Sequence, residues 1–482
     1  MINPMGLCAR LVSAVALICM FNGKIIAQWS DPAGNELFIS GGWLFSGTGD
    51  ERKPNPGILI RNGKFAMLGP LPVAATSTIS MTIELDAETT ILPGMIDLHA
   101  HYNYDLVDRG RVEEVKYTGL VFLANGVTST WSAGEFFPQR VLDHRDLIDR
   151  GEETGPRLFV SGPYMGGFRC EYQVKTADDD CIAWPNDITE TEMRAEVDYW
   201  ADRGVKSIKI KQATPVEARI LIDQAHRRGM TTSGHLSNYA GTYDVDPRAA
   251  ISMGLDRLEH NITLGNGGPR SSEMDEVIDL LLGQQVFFDA NLQMYGSVNL
   301  RADLAGMVWT DEAQYFTPYA RELLQKRGPP PPESDPVEFK QRLVELRKLH
   351  KAGGAGLLII GTDEPVYTSL LPGFAYHREL MAMVYAGIPA ADVLKAATIN
   401  GARALGVDDR LGSIEAGKLA DLVIVRGNPL EDIKVARDIE LVIKNGKTYR
   451  PDELLNRAKA RIGPDGPADH AGWELQVQPL RK

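Results

Sequence analysis

Residues 189–211 read TETEMRAEVDYWADRGVKSIKIK, and this stretch contains the unit that decides the fold. Thr189 and Glu192 have the spacing of a capping box, which predicts that a helix begins here. We expect the helix to end at Gly204, because glycine readily adopts the left-handed conformation that terminates helices. Val205–Lys211 then has the pattern of a β-strand. The stretch therefore predicts one helix followed by one strand.

The same order of helix, glycine and strand recurs along the middle of the chain. Thr214-Pro215 opens the next helix, which Gly229 closes. Strands that alternate with helices at a spacing of roughly 25–30 residues indicate βα units and parallel strands. The predicted strands are Gly94–His101, Gly126–Trp131, Pro156–Gly162, Val205–Lys211, Met230–His235, Leu255–His260, Val286–Asn291 and Leu357–Thr362. These units predict an α/β protein with a (β/α)₈ TIM barrel, whose active site lies at the carboxyl ends of the strands.

The two flanks of the chain have a different pattern and predict a second, smaller domain. Glu36–Pro70 and Leu411–Tyr449 are both rich in strand-forming residues, and Asn62-Gly63 and Asn445-Gly446 are typical hairpin turns. We expect the flanks to pair into one composite β-sandwich domain. The expected boundaries are residues 28–92 and 405–482 for the small domain and residues 93–404 for the barrel.

Composition limits the classes of function that the chain can have. The 482 residues include 51 Lys and Arg against 64 Asp and Glu, which gives a formal net charge of −13. The hydrophobic fraction of 44% is ordinary for a globular protein, so disorder and a small disulfide scaffold are excluded. The acidic balance argues against a nucleic-acid partner, which would normally meet a basic face. We therefore expect a small-molecule substrate.

The first 27 residues have the pattern of an export signal. Arg10 precedes a short apolar run, Leu11–Phe21, and the small residue Ala27 is suited to cleavage. About 20 apolar residues are needed to span a bilayer, so no stable membrane insertion is expected. The alternative is a buried N-terminal helix. The signal predicts a periplasmic or secreted protein, in which Cys170 and Cys181 either pair as a disulfide or stay unpaired.

Histidine and aspartate residues lie where predicted strands end. His99 and His101 are two apart at the end of the first predicted strand, so both can point to one face. His235, His260 and Asp363 end or follow three other strands. Each of them singly could be a hydrogen-bonded core residue. Together on one rim, these imidazoles and the carboxylate predict a site for Zn²⁺ or a similar ion.

Two lysines on the fourth predicted strand are two residues apart. They therefore lie on the same face of the strand, and both should point into the barrel. Burying a bare ammonium group is costly, so Lys209 or Lys211 could instead be converted by CO₂ to a carbamate. A carbamate is an anionic oxygen ligand that can bridge two metal ions. The alternative is a lysine that reaches solvent or an acidic partner, and parity does not decide between the two lysines.

Several segments spread over the chain match motifs of one enzyme superfamily. They are Leu92–His101, Gly126–Thr128, Gly204–Ile210, Leu258–His260, Gly361–Asp363, Ala396–Arg403 and Gly417–Val423. In these segments the chain resembles the metal-dependent amidohydrolases, and most of all their imidazolonepropionase-like and Xaa-Pro dipeptidase-like branch. The match at Gly204–Ile210 favours Lys209 over Lys211 as the carboxylated residue.

The resemblance implies a binuclear centre, most commonly with zinc, that hydrolyses an amide bond. Its implied ligands are His99, His101 and Asp363 for the buried metal, His235 and His260 for the exposed metal, and carboxylated Lys209 as a bridge. A hydroxide would bridge the metals as well, and Asp363 would move its proton to the leaving amine. We also expect the enzyme to be a homo-oligomer.

The sequence leaves three alternative functions open. An ester or lactone could be hydrolysed on the same centre, because attack on a carbonyl does not distinguish oxygen from nitrogen as the leaving atom. A deaminase of the superfamily commonly carries a glutamate where this chain has Asn238, and it lacks the lysine of strand 4. A non-catalytic binding protein would have lost a ligand, and none of the six is lost.

Substrate contacts are predicted from aromatic and basic residues that follow the strands. These candidates are Tyr102, Tyr104, Tyr164, Arg169 and Tyr239. Arginine and tyrosine commonly bind carboxylates and carbonyls, although a packing or surface role is the alternative for each. A bond between Cys170 and Cys181 would lie after strand 3 and would shape the mouth of the pocket.

Overall fold

The computed structural model describes residues 36–73, 79–107, 110–167, 188–236, 245–263, 271–295, 312–327, 336–365 and 371–473. Several sequence predictions lie outside these residues: the export signal over residues 1–27, Arg169, Cys170, Cys181 and Tyr239. Within the described residues, no helix has both the length and the hydropathy that crossing a bilayer requires.

The described strands, in chain order, are β1 (Glu36–Leu44), β2 (Lys53–Pro54), β3 (Ile58–Arg61), β4 (Lys64–Leu68), β5 (Ile79–Pro93), β6 (Met95–Ala100), β7 (Asn103–Val107), β8 (Gly110–Glu113), β9 (Val127–Ser132), β10 (Arg157–Phe159), β11 (Ser207–Lys211), β12 (Thr231–His235), β13 (Arg257–Glu259), β14 (Phe287–Asp289), β15 (Leu358–Ile359), β16 (Leu422–Arg426), β17 (Ile439–Lys444) and β18 (Lys447–Tyr449).

The described α-helices, in chain order, are α1 (Val115–Ala124), α2 (Pro138–Asp149), α3 (Glu190–Asp202), α4 (Pro215–Arg227), α5 (Pro247–Ser252), α6 (Ser271–Gln284), α7 (Leu292–Tyr295), α8 (Pro318–Arg327), α9 (Pro336–Lys351), α10 (Pro372–Tyr385), α11 (Ala390–Lys395), α12 (Gly401–Ala404), α13 (Pro451–Ala458) and α14 (Pro467–His470).

The helix–strand unit of residues 189–211 folds as its sequence predicts. The Thr189 side chain accepts a hydrogen bond from the backbone N–H of Glu192, and the Glu192 carboxylate accepts one from the backbone N–H of Thr189. This capping box begins α3, and Gly204 adopts a left-handed φ of 84° just after the helix. Strand β11 follows, with all five of its residues buried.

Strands from the two flanks pair in one mixed sheet. Its order is β18-β17-β16-β5-β1-β3-β4, with β2 paired to β1. The antiparallel pair of β5 and β16, in register at Leu92 and Val423, joins segments that lie more than 300 residues apart in sequence. Both predicted hairpins are confirmed, with Asn62-Gly63 between β3 and β4 and Asn445-Gly446 between β17 and β18.

Between the flanks lies a TIM-barrel-like α/β arrangement of parallel strands and helices. One sheet has the order β10-β9-β6 and the other runs from β11 to β15. The backbone N–H of Leu98 donates to the carbonyl of Ile360 at 2.8 Å, which connects β6 to the end of β15. Met165 exchanges backbone hydrogen bonds of 2.8 and 3.0 Å with Lys209 and Lys211, which connects the segment after β10 to β11.

The parallel strands are shorter than their sequence patterns predict. Strand β13 ends at Glu259 rather than at His260, and β15 ends at Ile359 rather than at Thr362. His260 and Asp363 have left-handed φ values of 66° and 53°, a conformation that is incompatible with an extended strand. His260 and Asp363 therefore lie in the loops just beyond the strands.

Candidate metal centre

A group of histidines and carboxylates lies together at the carboxyl ends of the parallel strands. A ring nitrogen of His99, a ring nitrogen of His260 and a carboxylate oxygen of Asp363 all lie within 4.8 Å of one another. A second group that meets the same limit consists of His235, Glu259 and His260. All of these side chains are buried, and His235 is the most exposed at 8%. The structure thus brings together residues from four separate strands.

His101 joins the first of these groups through Asp363. Its Nε2 lies 2.9 Å from Oδ1 of Asp363, and Nε2 of His99 lies 3.3 Å from the same oxygen. The rings of His99 and His101 are 5.3 Å apart, and the rings of His235 and His260 are 4.4 Å apart. Five of the six predicted metal ligands therefore form one continuous cluster around Asp363.

The sixth predicted ligand, Lys209, lies inside the same cluster. Its Nζ is 3.0 Å from Nε2 of His99 and forms a short ion pair with the carboxylate of Glu259. Lys211 lies at the edge of the cluster, where its ammonium nitrogen is 5.7 Å from the centre of the Tyr164 ring. The tertiary structure thus separates two lysines that sequence parity leaves equivalent.

Buried carboxylates surround His99 and give it an unusual charge state. Burial and the ammonium group of Lys209 lower the pKa of His99, but Glu259, Asp363 and Asp289 outweigh them and raise it to about 9. Although burial raises the pKa of Asp363, the imidazoles of His99 and His101 hold it well below its usual range. Carboxylates thus face His99 from several sides, and the ammonium group of Lys209 lies among them.

The remaining histidines of the cluster stay neutral. Burial lowers the pKa of His101 to about 4, even though Asp363 opposes the shift. Burial, together with nearby cationic groups, also holds the pKa values of His235 and His260 well below the usual range. A neutral imidazole keeps a nitrogen lone pair available, so these side chains are suited to bind a metal at neutral pH.

The cluster therefore fits the divalent ions that the sequence predicts. The Nδ1 atom of His99 is 2.8 Å from Oδ2 of Asp289, so Nδ1–H can donate to this carboxylate while Nε2 faces the cluster. Metal-binding histidines are commonly oriented in this way by a carboxylate on the other ring nitrogen. Nδ1 of His101 is buried and has no hydrogen-bond partner among the described residues.

Close packing between strands sets the positions of the first ligands. The carboxylate of Asp97 accepts hydrogen bonds from the backbone N–H groups of His99 and Thr362, which ties β6 to the segment after β15. A Cβ atom added at Gly361 would lie 2.4 Å from both Oδ2 of Asp289 and Cβ of His99. A side chain at this position would displace His99, so glycine is required there.

Helix α9 holds the loop that carries His260. Nη1 of Arg342 donates to the carbonyl oxygen of His260 at 2.7 Å. The Glu345 carboxylate accepts hydrogen bonds from the backbone N–H groups of Ile262 and Thr263 and from the hydroxyl of Thr263. These contacts stabilise the left-handed backbone of His260, which costs free energy in a residue with a side chain.

Replacing Arg342 with methionine is expected to weaken metal binding by roughly 10- to 100-fold, the usual effect of losing a partner that orients a metal ligand. The lost bond to the His260 carbonyl should also lower the free energy of unfolding by about 2 kcal/mol. Metal competition titrations and thermal unfolding measure the two effects. Arg347→Met, which removes a bond from the same helix to Ala386, is the matched control. Equal metal affinities in both variants would contradict the role of Arg342.

Tyr102, Tyr104 and Tyr164, three of the predicted substrate contacts, are buried in different surroundings. Tyr102 is buried in the hydrophobic core, where its hydroxyl bonds to Thr130 at 2.8 Å. Tyr104 is also fully buried, and its hydroxyl bonds to Thr118 at 2.9 Å. Both side chains pack in the core and have their hydroxyl groups bonded to threonines. Tyr164 does lie at the cluster, with its ring centre 6.4 Å from that of His101.

Sequence reasoning missed several residues of the centre. Glu259 and Asp289 are the last residues of β13 and β14. Their position at a strand end was therefore a signal that could have identified them from sequence. Arg342 gives no such signal, because it lies on a helix 82 residues after the histidine that it holds.

Fold and site together define a TIM-barrel-like α/β protein with a buried centre of histidines and carboxylates suited to divalent cations. The profile of the amidohydrolase family matches residues 90–449, and the chain belongs to this family. It is a hydrolase of a family that generally depends on metal ions and acts on small molecules.

Relatives of known activity match most of the chain. N-acetylglucosamine-6-phosphate deacetylase of Haemophilus influenzae is 45% identical over 74% of this chain and 88% of its own length. Ochratoxinase of Aspergillus niger is 23% identical over 86% of each chain. A solved Xaa-Pro dipeptidase with bound methionine has a TM-score of 0.66 at 24% identity, covering 86% of this chain and all of its own. This last likeness shows a shared fold.

Proposed function

We propose that the chain is an exported, binuclear metal-dependent hydrolase that cleaves an amide bond in a dipeptide, an N-acyl compound or a cyclic amide. The observation that carries the proposal is the buried cluster that brings Lys209, four histidines and Asp363 together. The names of the deacetylase and dipeptidase relatives describe amide substrates, which favours an amide over an ester.

The proposal assigns two divalent ions, preferably zinc, to this cluster. His99, His101 and Asp363 would hold one ion, His235 and His260 the other, and carboxylated Lys209 would serve both. When bound, such ions polarise a substrate carbonyl and make hydroxide available from water at neutral pH.

Within the chain, Asp363 has the role of moving the proton. Hydrolysis forms a bond between the water oxygen and the carbonyl carbon, breaks the carbon–nitrogen bond and transfers a proton to the leaving nitrogen. The Asp363 carboxylate, ionised and oriented by His101 at 2.9 Å, would take the proton from water and deliver it to that nitrogen. Burial around Asp363 limits access of bulk water to the proton.

Tyr164 and Lys211 are proposed to contact the substrate at the edge of the cluster. Tyr164 lies beside His101, and the ammonium group of Lys211 lies near the Tyr164 ring. Such a pair suits a carboxylate or carbonyl on the substrate. Arg169 and Tyr239 remain proposed contacts as well.

We further propose a closed barrel, a small β-sandwich domain, export of the protein and assembly into a homo-oligomer. The hydrogen bonds from β6 to the end of β15, and from the segment after β10 to β11, support a closed (β/α)₈ barrel. A separate buried cluster that includes Leu37, Ile60 and Ile424 supports folding of the mixed sheet into a small sandwich. Sequencing of the mature N-terminus tests cleavage after Ala27, and light scattering tests the proposed homo-oligomer.

The function is tested by metal removal followed by a substrate screen. Exhaustive chelation is expected to abolish activity, and Zn²⁺, Co²⁺ or Mn²⁺ should restore it. The screen of the metal-loaded mature protein includes Xaa-Pro and other dipeptides, N-acyl amino acids, aryl amides and lactones. Activity that survives full metal removal would refute the proposal. Hydrolysis of lactones without any amide would establish the alternative, an ester or lactone hydrolase on the same centre.

A further inference from the structure

A buried arginine inside the ring of parallel strands has no role in the proposed function. Arg257 on β13 is only 1% exposed, and its guanidinium carbon lies 3.9 Å from the centre of the Trp131 ring. Its Nη2 donates to the hydroxyl of Ser207 at 2.6 Å. Nε and Nη1 are buried and have no hydrogen-bond partner among the described residues. A buried charge with so few partners is costly, so its presence calls for a compensating benefit.

Arg257 lies in the layer of inward-facing side chains just beneath the metal-centre residues. Side chains two residues apart on a strand share a face, so Arg257 lies below Glu259 on β13, and Ser207 lies below Lys209 on β11. In barrels of parallel strands, alternate strands contribute side chains to a common layer. Trp131, Ser207 and Arg257 form such a layer, directly beneath the ion pair of Lys209 and Glu259.

Carboxylation changes the charge next to Glu259 by two units. The ammonium group of Lys209 loses a proton, its nitrogen forms a bond to the carbon of CO₂, and a second proton leaves to solvent. A cation that neutralised Glu259 thereby becomes an anion beside it. Burial lowers the pKa of Arg257 to about 10 against the opposing effect of Glu259, so the guanidinium keeps its charge at neutral pH.

We propose that Arg257 is a positioning residue of the metal centre, whose guanidinium charge offsets the negative charge that collects above it when Lys209 is carboxylated. This inference rests on the carbamate of the proposed function. Stacking on Trp131 and the bond to Ser207 keep the guanidinium in place beneath the site.

Arg257→Met tests this role, because methionine fills the space beside Trp131 without carrying charge. The metal-free protein is incubated with ¹³C-bicarbonate and Zn²⁺, and carbamate and metal uptake are followed by ¹³C NMR and by metal analysis. We expect the bicarbonate concentration that gives half-maximal uptake of carbamate and metal to rise about tenfold or more. Removing a unit charge from a partly shielded protein interior has an effect of this size. Arg257→Lys restores charge, and Ser207→Ala keeps Arg257. Both should stay within about threefold of the wild type.

The outcomes separate this inference from the proposed function. Wild-type protein that takes up metal with no need for bicarbonate overturns the carbamate and the role of Arg257 together. A bicarbonate requirement that is unchanged in Arg257→Met overturns the role of Arg257 alone. Direct repulsion between Arg257 and the metals would have the opposite sign, since Arg257→Met would then bind metal more tightly. If Arg257→Met does not fold, Arg257→Lys still decides, because a rise as large as tenfold there contradicts a role based on charge.

Discussion

Lys209→Ala is expected to lose both metal binding and hydrolytic activity, with a fall in kcat/KM of at least about a thousandfold. The Lys209 side chain lies within the ligand cluster, 3.0 Å from Nε2 of His99, and it is the proposed bridge between two metal ions. In the metal-free protein, alanine leaves the Glu259 carboxylate buried without the ammonium group of Lys209, which adds a cost to the folded state. Metal content and kcat/KM of the purified variant measure the effect.

Two further measurements make the Lys209 prediction specific. Small carboxylic acids such as acetate or propionate should restore part of the activity of Lys209→Ala, because they can occupy the space of a carbamate. Lys211→Ala is the matched control on the same strand, and it should keep its metal while changing KM for the substrate. Loss of metal in Lys211→Ala, with metal retained in Lys209→Ala, would show that the assignment of the two lysines is reversed.

Asp363→Asn should retain the fold and lower kcat by roughly 100- to 10,000-fold, the range typical of losing a general acid and base. The Asp363 carboxylate lies 2.9 Å from His101 and 3.3 Å from His99, so it also orders the ligand cluster. An amide cannot take the proton from water. Pre-steady-state and steady-state kinetics of the metal-loaded variant measure the change.

A buried aspartate far from the cluster provides the control for Asp363. Asp421→Asn weakens the ion pair with Arg157 at 2.6 Å, which connects β10 to the segment before β16. It should lower the free energy of unfolding and leave kcat unchanged. Retention of more than a tenth of kcat in Asp363→Asn, with two metal ions bound, would rule out Asp363 as the group that moves the proton.

The local elements of the fold could be predicted from sequence because their signals lie within a few residues. The capping box of Thr189 and Glu192 begins α3, and the turns at Asn62-Gly63 and Asn445-Gly446 close hairpins. The predicted strands reach His260 and Thr362, whereas β13 ends at Glu259 and β15 at Ile359. The left-handed backbone of His260 is held by a contact with Arg342, which no local pattern encodes.

Candidate site residues could be predicted as far as strand parity and strand ends allowed. Tyr102 and Tyr104 were predicted as substrate contacts from their position after the first strand, yet they pack in the core against Thr130 and Thr118. Asp289 was missed although it supports His99 across 190 residues of sequence. The alternation of residues along a strand predicts which face a side chain occupies. It does not predict which residues of other elements that side chain contacts.

The sequence by itself determined the alternation of helices and strands, the pairing residues of the hairpins and the family to which the chain belongs. Only the tertiary structure decided which groups surround Lys209, with His99 and Glu259 beside it and Arg257 beneath it. These positions depend on how separate strands align. A buried charged side chain is stabilised by partners that lie far away in the sequence. Such partners meet only when the strands are assembled.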